Sequence, residues 1–503
     1  MDIQTVDVDF SEFNLDSVKA VRSVRLIPAQ CGVDMGDGSE RGEYVGQDYI
    51  LGRMGRPMRR INIMYTYYPL DPEWPSRASE AHPDMEVHGQ WDYPYDDYFT
   101  YGGGIGGSAD SETFKQMQDI RRHGSDVTLT LTVDCKVGDE HLIKIAEDLR
   151  HYGRINIRIN HECTGDWFTH NRRYSYAEVG AFFARFARIL SEHAPNVKKI
   201  LCAGLCLADS EKLEYEDEFK DAYKEADIWS NDSYLGLHYG WPFDVCDKGG
   251  TTYTVSNVSR YFGELRRGYE RMVAITGQTD KKLVASEINT DGDITGPAVQ
   301  GEAVKRFADT VEKEENSWFG GFSIYQFRDR GRLGLEVEDP NDKTNGIPQP
   351  LMSVVKEIID RPYFSAGFDA GDEQTQKTDI PMRWGGSEDA DGVELELSLE
   401  RLPVFFDVTF DKEDVDKSLM LCLEGRWFHK APGVRTIDLM PAFWNDRFEP
   451  VEPGDKPMLR LFATPEDGIN PETDAEDWDV NYRTVLHALP RLHIKYEPVD
   501  MVG

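Results

Sequence analysis

The chain has 503 residues, 40% of them hydrophobic, which is long enough to bury a large core and to form two domains. Its formal net charge of −35 argues against nucleic acid and anionic membrane surfaces as partners, because their phosphates would repel it. Seven cysteines without zinc-ligand spacing indicate free thiols in a reducing compartment, not a disulfide framework.

The N-terminal segment is acidic and shows no apolar signal sequence, and no run of about 18 apolar residues occurs in the chain. The chain as it stands is therefore expected to be cytoplasmic, or secreted if a signal has been removed. We expect no cofactor and no membrane partner, and homo-oligomer formation is left open.

Strand-like and helix-like segments alternate from residue 20 to residue 360. The predicted strands cover residues 24–32, 59–69, 127–135, 155–159, 197–206, 233–240, 281–289 and 321–327. Eight strands alternating with helices predict an α/β fold, the (β/α)8 TIM barrel. A doubly wound sheet would usually carry a glycine-rich phosphate turn after its first strand, and none is visible there.

Two helices of this part are well marked. Leu142, Ile145, Ala146 and Leu149 have the spacing of one helical face. Ser175, followed three residues later by a glutamate, forms a capping-box pattern that predicts the start of another helix.

The character of the sequence changes after residue 365. Short strand-like segments are separated by acidic turns rich in proline and glycine, which is typical of a β-sandwich. We therefore predict a catalytic barrel over residues 1–365 and an accessory β-sandwich over residues 366–503, which braces the barrel or contributes to oligomer contacts.

A long loop is predicted over residues 70–112, between the second strand and the next helix. It carries several aromatic residues, followed by a glycine-rich segment. This pattern suits a lid that grips a substrate at the mouth of the barrel. The alternative is a loop that packs its own aromatic side chains.

Active groups of such a barrel lie at the carboxyl ends of its strands. The predicted strand ends carry polar or aromatic residues that suit catalysis or binding, namely Asp134, Asn160, His161, Glu162, His238, Tyr239, Glu287, Gln326 and Arg328, with Trp167 and Trp241 shortly after two of them. Glu162 and Glu287 are expected to meet at the same mouth.

Two facing carboxyl groups are what glycosidic bond cleavage requires. One must stay protonated to donate to the leaving oxygen, and the other must stay ionised to attack the anomeric carbon. Trp167 and Trp241 could stack on sugar rings, or they could pack in the core.

The segment "INIRINHECTGDWF" resembles the acid/base segment of glycoside hydrolase family 26, the β-mannanase family of clan A, and "KKLVASEIN" is similar to a clan A nucleophile strand. The resemblance implies a retaining glycoside hydrolase that cleaves mannan-like or glucan-like β-linked poly- or oligosaccharides. It implies that Glu162 is the acid/base and Glu287 the nucleophile. Tyr234, or Tyr239 in another register, would hydrogen-bond the nucleophile.

The resemblance also implies that Asn160 and His161 position the acid/base or bind a sugar hydroxyl. Most clan A families place asparagine, not histidine, directly before the acid/base. Strand eight commonly presents a tryptophan, whereas this chain offers Tyr325, Phe327 and Arg328. Arg328 could contact an acidic sugar.

Two other classes of function remain open. A metal-dependent barrel, such as a sugar isomerase or aldolase, would use Asp134, His161, Glu162, His238 and Glu287 as ligands. A protein that binds carbohydrate without catalysis is the third possibility. The cysteines near strand ends match no known set of metal ligands, and small buried thiols explain them.

Overall fold

The computed structural model describes residues 20–27, 31–38, 44–55, 58–72, 74, 99–122, 125–152, 155–164, 168–203, 215–232, 234–236, 258–313, 316–329, 331–364, 367–368, 377–384, 392–399, 402–403, 405–424, 426–443, 451, 456–463, 469–470, 475–476 and 482–495. Within them, one compact unit spans residues 30–365. A second unit combines the strand at 20–27 with residues after 366.

A closed barrel of eight parallel strands forms the first of these units. Numbering strands along the chain, with β1 at Ala20–Ile27, the barrel strands are β2 (Gly32–Gly36), β3 (Arg60–Tyr67), β5 (Asp126–Val133), β6 (Ile155–Ile159), β7 (Val197–Cys202), β8 (Ile228–Asp232), β9 (Lys282–Ile288) and β10 (Phe319–Ile324). Each pairs with its neighbours in this order, and β2 pairs with both β10 and β3, which closes the ring. The predicted TIM barrel is confirmed.

Helices separate most of these strands. The described helices are α1 (Gln47–Met54), α2 (Glu112–Arg122), α3 (Asp139–Tyr152), α4 (Thr169–Arg173), α5 (Tyr176–His193), α6 (Tyr215–Glu225), α7 (Val258–Thr276), α8 (Gly292–Thr295), α9 (Pro297–Lys313) and α10 (Pro350–Ile359). None of these helices is long and apolar enough to span a membrane.

The two helix predictions are confirmed. In α3 the four residues of the predicted face are all fully buried against the barrel. At the start of α5, the Ser175 hydroxyl accepts a hydrogen bond from the Glu178 amide, and the Glu178 carboxylate accepts one from the Ser175 amide. Both halves of the predicted capping box are therefore present.

The prediction for the first barrel strand, residues 24–32, is wrong. Strand β1 runs over Ala20–Ile27 and pairs with strands of the C-terminal unit, while β2 is the first barrel strand. The predicted domain 1–365 thus includes one strand that belongs elsewhere. Local alternation indicates a strand but not the sheet it joins, and β2, with two glycines and an aspartate in five residues, has a weak apolar pattern.

The prediction for the sixth barrel strand, residues 233–240, is also wrong. The strand is β8, which has only two apolar residues in its five and therefore a weak pattern. Leu235 follows it and is fully buried, and Gly236 makes only an isolated parallel bridge to Thr290. Strand six therefore ends on Asp232 and not on His238 and Tyr239, which lie outside the described residues.

The long loop is described only at its two ends. Strand β4 (Phe99–Thr100) pairs in parallel with β3, and Tyr101 is fully buried. The Gly104 amide donates to the Asp148 carboxylate of α3 at 2.8 Å, and the Ile105 amide donates to the Tyr67 hydroxyl at 3.3 Å. The glycine segment is thus held against the barrel wall, which favours the packing alternative for this part of the loop. Its aromatic centre, residues 75–98, lies outside the described residues.

The remaining strands are short. After β10 come β11 (Arg328–Asp329), β12 (Glu336–Asp339) and β13 (Asp342–Pro348), which form a small sheet of their own. The C-terminal unit holds β14 (Gly367–Phe368), β15 (Lys377–Trp384), β16 (Val393–Ser398), β17 (Phe405–Thr409), β18 (Leu419–Leu423), β19 (Arg426–Lys430), β20 (Thr436–Asp438), β21 (Met458–Ala463), β22 (Ile469–Asn470), β23 (Ala475–Glu476), β24 (Tyr482–Ala488) and β25 (Arg491–Lys495).

These C-terminal strands form a six-stranded sheet in the order β14-β1-β16-β21-β18-β19, and the smaller sheets β20-β17-β25, β15-β24 and β22-β23. Apolar side chains of the six-stranded sheet, such as Leu421 and Leu461, share one buried cluster with Phe406 and Ile494 of the three-stranded sheet. An all-β unit with its own core is therefore present, and the β-sandwich arrangement stays a prediction.

Candidate active site

Ionisable side chains gather at the carboxyl ends of three barrel strands. Strand β6 runs directly into Asn160, His161 and Glu162, β8 ends on Asp232, and β9 carries Glu287 as its penultimate residue. Parallel strands of a closed barrel bring these ends to one mouth. Residues far apart in the chain thereby share one site.

A buried arginine joins two of these strand ends. Arg158 of β6 is fully buried, and its Nη1 donates to the Asp232 carboxylate at 2.9 and 3.1 Å, while its Nη2 donates to Glu287 Oε1 at 2.7 Å. Its Nε donates to the Thr130 hydroxyl at 2.8 Å. Burial opposes the charge, but the Coulomb attraction of the two carboxylates outweighs it and raises the pKa of Arg158.

Both carboxylate oxygens of Glu287 accept hydrogen bonds. Oε1 accepts from Arg158, and Oε2 accepts from the Tyr234 hydroxyl at 2.6 Å. The Glu287 residue is 6% exposed, so these bonds act where water screens little. A guanidinium and a phenol aimed at one carboxylate favour its ionised form and fix its direction.

Apolar and aromatic side chains pack against the tyrosine that contacts this carboxylate. Met64, Phe168, Tyr325 and Leu333 form a buried cluster against which Tyr234 packs. The rings of Tyr234 and Tyr325 meet edge to face with their centroids 5.7 Å apart. This packing fixes the Tyr234 ring, and with it the hydroxyl that donates to Glu287.

His161 points into the same group. One of its ring nitrogens lies within 4.8 Å of carboxylate oxygens of Asp232 and Glu287. Burial, and then the nearby charges of Arg158 and His170, hold the pKa of His161 well below its usual range. The imidazole is therefore neutral at pH 7 and can serve as a hydrogen-bonding group, but not as a cation.

The turn after β6 has an uncommon backbone conformation. Asn160 has φ 43° and Glu162 has φ 51°, both in the left-handed region that residues with a side chain rarely occupy. Such conformations persist only where surrounding contacts hold them, and they cluster at functional sites. Glu162 lies on this turn, directly after the end of β6, and is half-buried.

The Asn160 side chain supports this turn. Its Oδ1 accepts from the Val133 amide at 2.6 Å and its Nδ2 donates to the Val133 carbonyl at 3.1 Å, which ties β6 to the end of β5. Asn160 is fully buried. Of the two roles that the resemblance implies, these contacts favour positioning the acid/base over binding a sugar hydroxyl.

Among the described residues, the convergent set of metal-ligand type is His161, Asp232 and Glu287. Asp134, which the metal-dependent alternative would use, instead accepts hydrogen bonds from the Tyr174 hydroxyl and the Lys136 amide. The Arg158 guanidinium already pairs with both carboxylates of the set. A cation placed there would compete with that charge, so the geometry favours an arginine-centred site.

Gln326 and Arg328 have different surroundings. Gln326 is buried and lines a small pocket beside Glu287, together with Asn62 and Tyr325. The Arg328 guanidinium instead donates to the Glu336 carboxylate at 2.6 Å and to backbone carbonyls of β13. Its donors are occupied in the small sheet, so the contact with an acidic sugar loses its support.

The thiols near the strand ends are buried. Cys163 and Cys202 are fully buried, and burial raises the pKa of both well above the usual range. Protonated thiols are poor nucleophiles and poor metal ligands. The interpretation of these cysteines as small buried side chains is therefore favoured.

Four predicted binding residues, Trp167, His238, Tyr239 and Trp241, lie outside the described residues. Of the two tyrosines considered as partners of Glu287, Tyr234 makes the contact.

Two residues of the site, Arg158 and Asp232, are not among the residues predicted from the sequence. Arg158 lies between alternating isoleucines, which places it on the inward face of β6 with Asn160. A buried arginine requires acidic partners, which was the available signal. Asp232 was missed because strand six was placed after it.

A comparison with models of protein families finds no match, and neither does a search of curated proteins. Among solved structures, a glycoside hydrolase family 26 β-mannanase from Bacteroides ovatus is 11% identical, with 67% of this chain and 90% of that chain covered and a TM-score of 0.38. A modular endo-β-1,4-mannanase of the same family from Cellulomonas fimi is 12% identical, with 93% and 94% covered and a TM-score of 0.40.

A glucosidase from Croceicoccus marinus is 11% identical, with 89% of this chain and all of that chain covered and a TM-score of 0.43. Identities and TM-scores at this level carry neither a family, a substrate nor a reaction over to this chain.

Proposed function

We propose that this chain is a glycoside hydrolase that cleaves β-linked poly- or oligosaccharides, mannan-like or glucan-like, with retention of configuration. The observation that supports it most is the environment of Glu287, whose two oxygens accept hydrogen bonds from Arg158 and Tyr234 at the barrel mouth. A carboxylate that is held ionised and fixed in direction suits a nucleophile. Glu162, on the strained turn after β6, is proposed as the acid/base.

The proposed reaction has two steps. In the first, a Glu287 oxygen attacks the anomeric carbon while the glycosidic carbon–oxygen bond breaks, and the leaving oxygen takes the proton of the Glu162 carboxyl group. In the second, water attacks the anomeric carbon and gives a proton to the Glu162 carboxylate, and the bond to Glu287 breaks. Retention requires the two carboxyl groups to lie about 5–5.5 Å apart.

The chain's other residues have supporting roles in this proposal. Arg158 and Tyr234 stabilise the charge that returns to Glu287 when the glycosyl–enzyme bond breaks. Neutral His161 and Gln326 are proposed to contact sugar hydroxyls, and Trp167, Trp241, His238 and Tyr239 are proposed to complete the sugar-binding surface. The C-terminal unit is proposed to be a bracing β-sandwich.

A panel of β-mannan, β-1,4-glucan and β-1,3-glucan tests the proposal. We expect the wild type to hydrolyse at least one member and to release a β-anomer, measured by NMR before mutarotation. Glu287→Ala should abolish turnover. Glu162→Ala should lower it sharply, and with an aryl β-glycoside, whose leaving group needs no acid, added azide should restore turnover with formation of a β-glycosyl azide.

Glu302→Ala, a matched change on the exposed surface of α9, should leave hydrolysis unchanged. Retained activity in both Glu162→Ala and Glu287→Ala would contradict the assignment. An α-anomeric first product would contradict retention.

The second candidate function is a metal-dependent sugar isomerase or aldolase, which the convergence of His161, Asp232 and Glu287 favours. Chelation of divalent cations distinguishes the two candidate functions. We expect hydrolysis of an aryl β-glycoside to be unchanged by EDTA, because Arg158 already supplies the positive charge between the two carboxylates. Loss of activity with EDTA and its return with a divalent cation would favour the second candidate.

A further inference from the structure

We propose that His170 and Asn171 of the short helix α4 are positioning residues that hold the backbone of the acid/base turn and so aim the Glu162 carboxyl group. This inference rests on the proposed function. It adds two residues, eight and nine positions after Glu162, that the resemblance does not assign.

The contacts run from side chains of α4 to backbone carbonyls of the turn. His170 Nε2 lies 3.2 Å from the His161 carbonyl oxygen, and Asn171 Nδ2 donates to the Glu162 carbonyl oxygen at 2.8 Å. Strand β6 ends at Ile159, so these carbonyls lie beyond the strand ladder. Two successive peptide groups of the turn are thus anchored by two successive residues of one helix.

The turn requires such anchors because its backbone is strained. Asn160 and Glu162 both have positive φ, on either side of His161. Left-handed conformations in residues with side chains are strained and persist only when neighbouring contacts hold them. If the anchors are lost, Glu162 can relax to an ordinary φ, which changes the direction of its side chain.

His170 is suited to act as a permanent donor. It is fully buried, and burial lowers its pKa to about 3. The neutral imidazole carries one N–H, and the contact of Nε2 with a carbonyl oxygen assigns that proton to Nε2. The anchor therefore does not change between pH 5 and pH 8.

Ring packing adds a second link between helix and turn. The Phe168 ring contacts the His161 ring, with centroids 4.4 Å apart, and stacks on the His170 ring at 5.8 Å and 13°. A shift of α4 would therefore displace both the backbone of the turn and the His161 side chain, which lies beside Asp232 and Glu287.

The experiment compares leaving groups. The substrates are 2,4-dinitrophenyl β-mannobioside and mannohexaose, or the β-cellobioside and cellohexaose, according to which sugar the wild type cleaves. Departure of 2,4-dinitrophenolate needs no proton, whereas departure of a sugar hydroxyl depends on the acid. The value of kcat/KM reports the first step, in which Glu162 acts as the acid.

Asn171→Asp keeps the size of the side chain and removes its donor. We expect it to lower kcat/KM on the hexaose roughly 10- to 100-fold, as a misplaced catalytic group does. On the dinitrophenyl substrate kcat/KM should change less than about twofold. His170→Phe, which keeps an aromatic ring and removes the donor, should show the same split, and Asn341→Asp, a matched change in the exposed β12–β13 turn, should affect neither substrate.

A loss of the same size on both substrates, with the circular dichroism spectrum unchanged, would overturn the positioning role, as would wild-type rates for both variants on the hexaose. Failure of the proposed function looks different. In that case the wild type cleaves neither substrate, or Glu287→Ala remains active on both.

Discussion

Arg158 supplies the positive charge that pairs with two carboxylates of the site. Its side chain is fully buried, and the carboxylates of Asp232 and Glu287 lie 2.9 and 2.7 Å from its guanidinium nitrogens. Three charges in one desolvated volume are stable only together, because each ion offsets the desolvation of its partners. The group therefore acts as a unit, and removing its cation leaves two carboxylates facing each other.

Arg158→Met is expected to lower the free energy of unfolding by about 3–5 kcal/mol, because two buried carboxylates lose their counterion. Urea unfolding measures the change. Arg188→Met is the matched control, since its exposed pair with Glu225 is 2.8 Å long and should contribute less than about 1 kcal/mol. Equal losses in the two variants would contradict the importance of the buried group.

Two buried histidines link stability to pH. Burial lowers the pKa of His170 from 6.5 to about 3, and burial together with Arg158 and His170 lowers the pKa of His161. The unfolded chain therefore binds more protons below pH 6.5 than the folded protein does. The stabilisation from a neutral histidine is fully present above the unfolded pKa and is lost as pH falls toward the folded value.

We expect the free energy of unfolding to fall between pH 6.5 and pH 5, with each of the two histidines contributing up to about 1.4 kcal/mol per pH unit. His170→Gln should reduce this slope by the share of one histidine. Urea unfolding at pH 7.0, 6.0 and 5.0 compares the two proteins. An identical slope would show that His170 does not resist protonation in the folded state.

At the scale of elements, the start of α5 is fixed by hydrogen bonds between residues that are close in sequence. The Ser175 hydroxyl accepts from the Glu178 amide at 3.3 Å, and the Glu178 carboxylate accepts from the Ser175 amide at 2.8 Å. The capping box lies within four consecutive residues, so its pattern is recognisable in the sequence. The cap starts the helix that follows α4.

Ser175→Ala should lower the free energy of unfolding by about 1 kcal/mol, because one helix-terminal amide loses its acceptor. Thermal or urea unfolding detects the difference. Ser353→Ala is the control, since Ser353 lies exposed within α10 and caps nothing, and alanine there should be neutral or slightly stabilising. A loss of similar size at both positions would contradict the cap.

At the scale of the whole molecule, strands from distant parts of the sequence pair in one sheet. Strand β1 pairs in parallel with β16 and antiparallel with β14, so a segment near the N-terminus belongs to the sheet built near the C-terminus. A division of the chain at residue 365 separates this strand from both of its neighbours. Unpaired strand edges are templates for association.

A chain of residues 1–365 is therefore expected to aggregate, whereas one of residues 30–365 should remain in solution, because only the first carries the unpartnered β1. Size-exclusion chromatography with light scattering compares them. Val24→Pro in the longer chain, which disrupts strand pairing, should reduce its aggregation. Equal behaviour of the two chains would contradict this assignment of β1.

Patterns within one element were readable from the sequence. The alternating isoleucines of β6, the apolar face of α3 and the Ser175 cap each depend on neighbours within a few positions, where periodicity and side-chain chemistry act directly. The eightfold alternation of such elements was enough to predict the barrel. It also identified Glu162 and Glu287 as strand-end residues that a barrel would bring to one mouth.

Pairings between distant residues required the folded molecule. The sheet that β1 joins, the Arg158 contacts to Asp232 and Glu287, and the α4 contacts to the Glu162 turn connect residues whose local patterns carry no record of one another. Strand register and burial create these contacts. Arg158, Asp232 and Glu287 are ordinary charged residues along the chain, and they become one ion-paired site only when three strands exclude water around them.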